Sequence, residues 1–247
     1  MILAQNGLSE YKVIIPEAAS PAVRFAAVEF VDIFRQITGI TLPVRTDSQR
    51  EYNNEIVIGR TSRECHAGEI DFEALGEEGY ALKTWEDRLV GALYIAANGD
   101  RGTLYGVYSF FEDYLGCRWF TEKLTRIPSR YTDQIGAIDT TFVPVFNYRK
   151  VSFIDSNDWQ FSVRNKLNAK LRVDSVAEHG YEVTYAVGFA HTITTLVPDE
   201  LFDEHPEYFA MNEKGERVHG EWTQRCLTNP DVLAAPACAA TGLPAQD

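Results

Sequence analysis

The second half of this sequence is rich in carboxylates, and nine of them are candidates: Asp155, Asp158, Glu178, Glu182, Asp199, Glu200, Asp203, Glu204 and Glu207. Two carboxyl groups flanking a bond, one protonated and one ionised, are the equipment of glycosidic hydrolysis. They stand ~5 Å apart when configuration is retained and ~6.5–9.5 Å apart when it is inverted. Spacing along the chain does not say which of the nine converge, so no catalytic pair is assigned. His179, His191, His205 and His219 raise the question of a metal. They form no His-Glu-x-x-His and no tight cluster, so neither a metal nor any other cofactor is expected. A neutral imidazole also serves as a hydrogen-bond partner for hydroxyl groups.

Six residues make the candidate substrate-binding set: Arg149, Asp155, Trp159, His191, His205 and Gln224. The planar donor fork of Arg149 suits sugar hydroxyls or a uronate carboxylate, or pairs with a neighbouring acid. Asp155 ends the candidate strand, Pro144–Ile154, that holds Arg149. Trp159, with Trp222 and Tyr208, could stack on a pyranose face or belong to the core. His191 ends a second candidate strand and reads as ligand-facing, as a loop or core residue, or as a metal ligand. His205 stands before Pro206, where the backbone is held extended. Gln224 offers an amide donor and acceptor.

The elements that must position these residues are a strand over Pro144–Ile154, a helix from Trp159 to Leu171 and a strand over Val183–Ala190. A hairpin with Lys214-Gly215 at its tip follows, between Tyr208–Met211 and Trp222–Leu227. Thr228 to Asp231 reads as a helix N-cap. The first 140 residues are more regular. Tyr11–Pro16 is a short apolar strand. Ser20-Pro21 supplies an N-cap and an N1 proline, and Val23, Ala26, Ala27, Phe30, Val31, Phe34 and Ile37 recur at helical spacing up to Gly39. Leu42–Arg45 and Glu55–Ile58 are further strands. Gly79–Lys83 and Leu89–Ala96 form a hairpin-like pair. Asn98 to Gly102 is a turn opening a helix over Thr103–Leu115; its glycine spacing fits neither a P-loop nor a dinucleotide fingerprint.

Bulk properties narrow the partners. The chain has 247 residues and a net charge of −13, which disfavours phosphate backbones and anionic membranes. No run approaches the ~18 apolar residues of a membrane span, and the N-terminus lacks a basic segment of the signal-peptide kind. Cys65, Cys117, Cys226 and Cys238 form no C-x-x-C pair and read as buried free thiols.

The strings SPAVRFAAVEFVDIFRQITGITLPV, EIVIG, GYALK and YIAANGDRGTLYGVYSFFEDYLGCRWF resemble the N-terminal domain that precedes the barrel in α-glucuronidases and β-N-acetylhexosaminidases. HTITTLVP, EHPEYFAMNEKGERV and QRCLTNPDV resemble a bacterial family of uncharacterised barrel domains that follows such a domain. The resemblance implies a mixed-sheet α/β accessory domain over residues 1–140. The first units of an incomplete (β/α)8 (TIM) barrel would occupy residues 141–247, with 233–247 irregular. It implies a glycoside hydrolase-like protein whose partner is a glycan or oligosaccharide, with an extracellular or periplasmic location. The catalytic acids of the related glycosidases come from later barrel strands, so this chain reads as an inactive N-terminal portion. The alternative is a non-catalytic carbohydrate-binding or scaffolding module.

Overall fold

The computed structural model describes residues 1–88, 90–152, 154–169, 177–183, 192–220 and 223–234. They fall into two compact units, Met1–Val183 and Thr184–Asp247.

The first unit contains, in chain order, β1 (Ile2–Ala4), β2 (Lys12–Ile15), α1 (Pro21–Thr38), β3 (Val44–Thr46), β4 (Asn54–Ile58), the single turn α2 (Phe72–Leu75), β5 (Tyr80–Asp87), β6 (Val90–Ala97), α3 (Asp100–Asp113), β7 (Arg118–Trp119), β8 (Thr125–Arg126), β9 (Asp133–Gln134), β10 (Asp139–Phe142) and α4 (Trp159–Arg164). Six strands form one mixed sheet in the order β10-β5-β6-β4-β2-β3. The β3-β2-β4-β6 part is parallel, while β5 and β10 run antiparallel to their neighbours. Parallel neighbours need long crossovers, and α1 supplies the one between β2 and β3.

Local chemistry explains α1. The Ser20 hydroxyl accepts the Val23 amide at 3.2 Å, Pro21 occupies the first turn, and Gly39 ends the helix at φ 78°. Of the seven apolar positions expected on its inner face, six are buried and Val31 is half-buried. Helix α3 begins at Asp100, three residues before the expected start, and Gly102 through Phe111 are all buried. It is more enclosed than a one-sided stripe implies. Gly106 makes this possible: a Cβ there would lie 2.9 Å from Ile95 Cγ2 on β6. The core between the two helices centres on Phe30, whose ring lies 6.2 Å from Phe34, 5.8 Å from Phe110 and 4.9 Å from Phe111.

The opposite face of the sheet carries a smaller cluster. Ile14, Val57, Ala92 and Tyr94 are buried there beneath Tyr52, Cys65, Ala67 and Trp85. The chain between β4 and β5 covers this face, and α2 is its one helical turn.

Beyond β10 the expected barrel start is not seen. Among the described residues that follow, there is no strand. The strand expected over Pro144–Ile154 is irregular, because its polar groups find partners other than a neighbouring strand. The Arg149 amide donates to Asn168 Oδ1 and the Asn168 amide donates to the Arg149 carbonyl. Val145, Phe146 and Ile154 remain exposed. The expected helix from Trp159 is shorter, ending at Arg164. The strand expected over Val183–Ala190 lies, apart from its first residue, outside the described residues.

The second unit holds α5 (Ile193–Leu196), 3-10 turns over Asp199–Phe202 and Pro206–Tyr208, and helical residues at 230–234. In place of the expected hairpin strands, two isolated bridges link Phe209 with Arg225 and Met211 with Arg217, around a turn in which Gly215 has φ 80°. Among the described residues no helix is long and apolar enough to cross a membrane, and no group of three side chains is placed to hold a metal ion.

Candidate functional site

The charged centre of the first unit is Glu78, on the turn before β5. Its side chain is 9% exposed, and Arg101 Nε at 2.5 Å and Arg149 Nη1 at 2.6 Å pair with its two oxygens. Asn168 Nδ2 donates to Glu78 Oε1 at 2.7 Å and to the Asn147 carbonyl at 2.8 Å. Arg101 comes from the first turn of α3 and also holds the Gly180 carbonyl at 3.1 Å. Arg149 donates to the carbonyls of Lys166 and Phe146, and its guanidinium lies 5.6 Å from the Tyr105 ring centre.

Burial would raise the Glu78 carboxyl. Hydrogen bonds from Arg149 and Asn168, with the charges of Arg149 and Arg101, outweigh that and hold it below the usual carboxylate value. A carboxyl held ionised with both oxygens engaged cannot serve as a general acid, which needs a raised pKa. The group instead joins three chain segments. A cavity of about 310 Å³ opens beside it, lined by Glu77, Glu78, Arg101, Pro144 and Asn147 among others.

The six candidate binding residues do not gather in one place. Arg149 is engaged with Glu78, the second of the two roles its chemistry allows. Asp155 lies half-buried in a 3-10 turn. Trp159 packs at 5.8 Å from the Phe25 ring and 3.9 Å from His179, against the core. In the second unit, His205 is stacked on Tyr208 at 4.6 Å, and its Nδ1 is 3.0 Å from Glu207 Oε1. Gln224 is exposed, with its carbonyl accepting the Ala210 amide. His191 and Trp222 lie outside the described residues.

Several candidate carboxylates have structural partners. Asp158 caps α4 by accepting the Phe161 amide at 2.7 Å. Asp199 pairs with Arg225 at 2.9 Å. Glu207 is held low by its own backbone amide and by the His205 side chain. Arg225, beside Gln224, is the buried member of that strand-like stretch: it donates to the Val197 carbonyl at 2.6 Å and lies 4.3 Å from the Phe209 ring centre.

Sequence reasoning missed Glu78 and Arg101. The available signal was the Glu77-Glu78 pair just before β5 and the arginine inside the Asn98–Gly102 turn. Neither announces that Arg149 and Asn168, at least 71 residues on from Glu78, will close around the same carboxylate.

The fold is that of glycosidase-like α/β proteins. It superposes on a family GH115 4-O-methyl-alpha-glucuronidase with specificity for decorated arabinogalactans at a TM-score of 0.50 and 16% identity, over 74% of this chain and 29% of that one. Weaker likenesses are to the GH20 beta-N-acetylhexosaminidase from Streptomyces coelicolor A3(2), at TM-score 0.37 and 17% identity over 60% of this chain and 24% of that one, and to the Streptomyces plicatus N-acetyl-beta-hexosaminidase, at TM-score 0.37 and 16% identity over 60% and 26%. The chain thus spans less than a third of each of these structures. Residues 4–110 match the glycosyl hydrolase family 67 N-terminus, and residues 119–238 match a domain of unknown function, DUF4838. The sequence is that of a glycosidase-like protein. No curated protein matches it.

Proposed function

We propose that this chain serves a glycan-acting protein as an α/β accessory domain, residues 1–140, with a following segment that carries glycan-contacting groups, and that residues 1–247 by themselves do not hydrolyse glycosidic bonds. The observation that carries this reading is the match of residues 4–110 to the family 67 N-terminus on a fold shared with a GH115 glucuronidase. The absence of turnover is argued from chemistry. Asp158, Asp199 and Glu207 are tied to a helix cap, to Arg225 and to His205. Glu78 is ionised and saturated. Within this reading Gln224, which is exposed, and His205, half-exposed beside Tyr208, are the better-placed of the six candidates, because Arg149 and Trp159 are turned to the Glu78 cluster and the core. Asp155 and His191 stay in the set.

A purified 247-residue chain should bind members of a panel of neutral and acidic oligosaccharides in calorimetry. It should release no product from aryl glycosides or glucuronoxylan oligomers. Turnover of either substrate would refute the inactive reading, and a chain that binds no member of the panel would refute the glycan reading.

A further inference from the structure

The face of the sheet away from α1 and α3 carries a second constellation that the glycan reading above does not use. Strand alternation puts Trp85 on this face, directly across from Ala92 on β6 and in the same cluster as Tyr94. The loop after β4 brings His66 over it, with ring centres 4.8 Å apart. Two contacts to one hydroxyl fix that loop: the His66 amide donates to Tyr94 Oη at 3.2 Å, and Tyr94 Oη donates to the Glu64 carbonyl at 3.0 Å. Beneath it, the buried Glu55 carboxylate accepts Arg63 Nε at 3.0 Å and the Tyr52 amide at 2.9 Å. The remaining nitrogens of Arg63 hold the carbonyls of Asp47, Gln49 and Arg50. The floor is therefore rigid and its buried charge is satisfied.

Above the floor lies a cavity of about 200 Å³. It shares Glu51, Tyr52 and Asn53 with a neighbouring cavity of about 480 Å³, so the two form one groove along the amino ends of the parallel strands. The Trp85 indole N–H, the His66 ring, the Asn53 amide and the Glu51 and Glu64 carboxylates line it and make no side-chain hydrogen bond or ion pair among the described residues. A half-exposed aromatic platform ringed by uncommitted donors and acceptors is the combination that recognises a flat ring edged with hydroxyls, apolar on its faces and able both to donate and to accept at its rim. Glu10, Glu51, Glu55 and Glu64 outnumber Lys12, Arg50 and Arg63 by one along the groove, and this slight negative balance disfavours an acidic sugar.

We infer that this groove is a second glycan site, taking neutral pyranose units of an oligosaccharide, with Trp85 as its platform. It rests on the glycan reading and extends it to a site on the face of the sheet opposite α1 and α3.

The test uses the full chain and calorimetric titration with cellohexaose, xylohexaose and maltohexaose as neutral probes and hexagalacturonic acid as the acidic one. At least one neutral probe should bind. Trp85→Ala should weaken it by about tenfold, equivalent to about 1.4 kcal/mol, while Trp85→Phe stays near wild type. His66→Ala, which removes the ring of an exposed residue without opening the sheet, should weaken the same probe if Trp85→Ala proves unstable by circular dichroism. Binding unchanged in both alanine variants would overturn this site and leave the glycan reading intact, as would a chain that takes up the acidic probe and no neutral one.

Discussion

The α/β core and the segment after β10 share one compact unit, yet different forces hold them. In the core, Phe30, Phe34, Phe110 and Phe111 are fully buried against one another, and area removed from water supplies the stability. Residues 147–168 add a ring of polar contacts to the apolar ones made by Trp159 and Val163. Glu78 takes Arg149 and Asn168, Glu29 takes Arg164 at 3.1 Å, Glu112 takes Lys166 at 2.9 Å, and the Tyr105 hydroxyl donates to the Leu167 carbonyl at 3.3 Å. Apolar residues next to these anchors, Val145 and Phe146, stay in solvent. A hydrophobic stripe can be built from residues three and four apart. A carboxylate ringed by three distant partners is assembled only when the chain has already folded.

The sharpest way to break this contrast is to damage each region separately. Phe30→Ala should cost about 4 kcal/mol, the range for a buried Phe truncated to Ala. Urea denaturation should show the midpoint of the whole first unit falling. A loss under 1 kcal/mol would mean that the aromatic cluster is not the stabilising centre.

Glu78→Ala should cost less, about 3 kcal/mol, because it strands two arginines whose partner is mostly buried. Its effect should be regional. Limited proteolysis of the wild type should leave a core ending near residue 183, and of the variant a core ending near residue 140. Identical digestion patterns would show that the polar anchors do not hold the segment.

Acid should reproduce part of that loss. Glu78 has a folded-state pKa below its unfolded value, so its contribution is complete above the ordinary carboxylate pKa of about 4.3. It fades as pH falls through the lower folded value. The stability gap between wild type and Glu78→Gln should therefore be constant from pH 7 to about 5 and narrow below that. A gap that widens on acidification would reverse the sign of this argument.

Two smaller changes probe the local signals in α1. Gly39→Ala forces a side chain into the left-handed region and should cost roughly 1–2 kcal/mol. Ser20→Ala removes the cap on the Val23 amide and should cost about 1 kcal/mol. Both are read as shifts in the thermal midpoint without any change in the proteolysis pattern.

Much of the α/β unit was legible because its signals are short-range. Ser20-Pro21 and Gly39 bracket α1 in the sequence as they do in space, and the hairpin-like runs Gly79–Lys83 and Leu89–Ala96 anticipated the β5–β6 pair. The strand read over Pro144–Ile154 failed for the converse reason. Its apolar run satisfies the strand pattern, but a strand needs a neighbour, and Asn168 took the backbone of Arg149 instead. The short strands β1 and β10 escaped notice since they exist only through partners far along the chain, β9 and β5. The candidate site suffered in the same way: Arg149 was correctly singled out by its chemistry, while Glu78, its partner, has no local mark.

What the sequence determined by itself is the main helices, strands and caps of the first half and the likeness of its strings to glycosidase accessory domains, carried by residues within one or two turns of each other, together with an acidic character that is a sum over the chain. Tertiary structure alone decided that Arg149 serves Glu78, that Trp159 faces Phe25, and that Trp85 and His66 share a groove with Glu51 and Glu64. These depend on which distant groups meet once apolar surface is buried, and no spacing along the chain encodes that meeting.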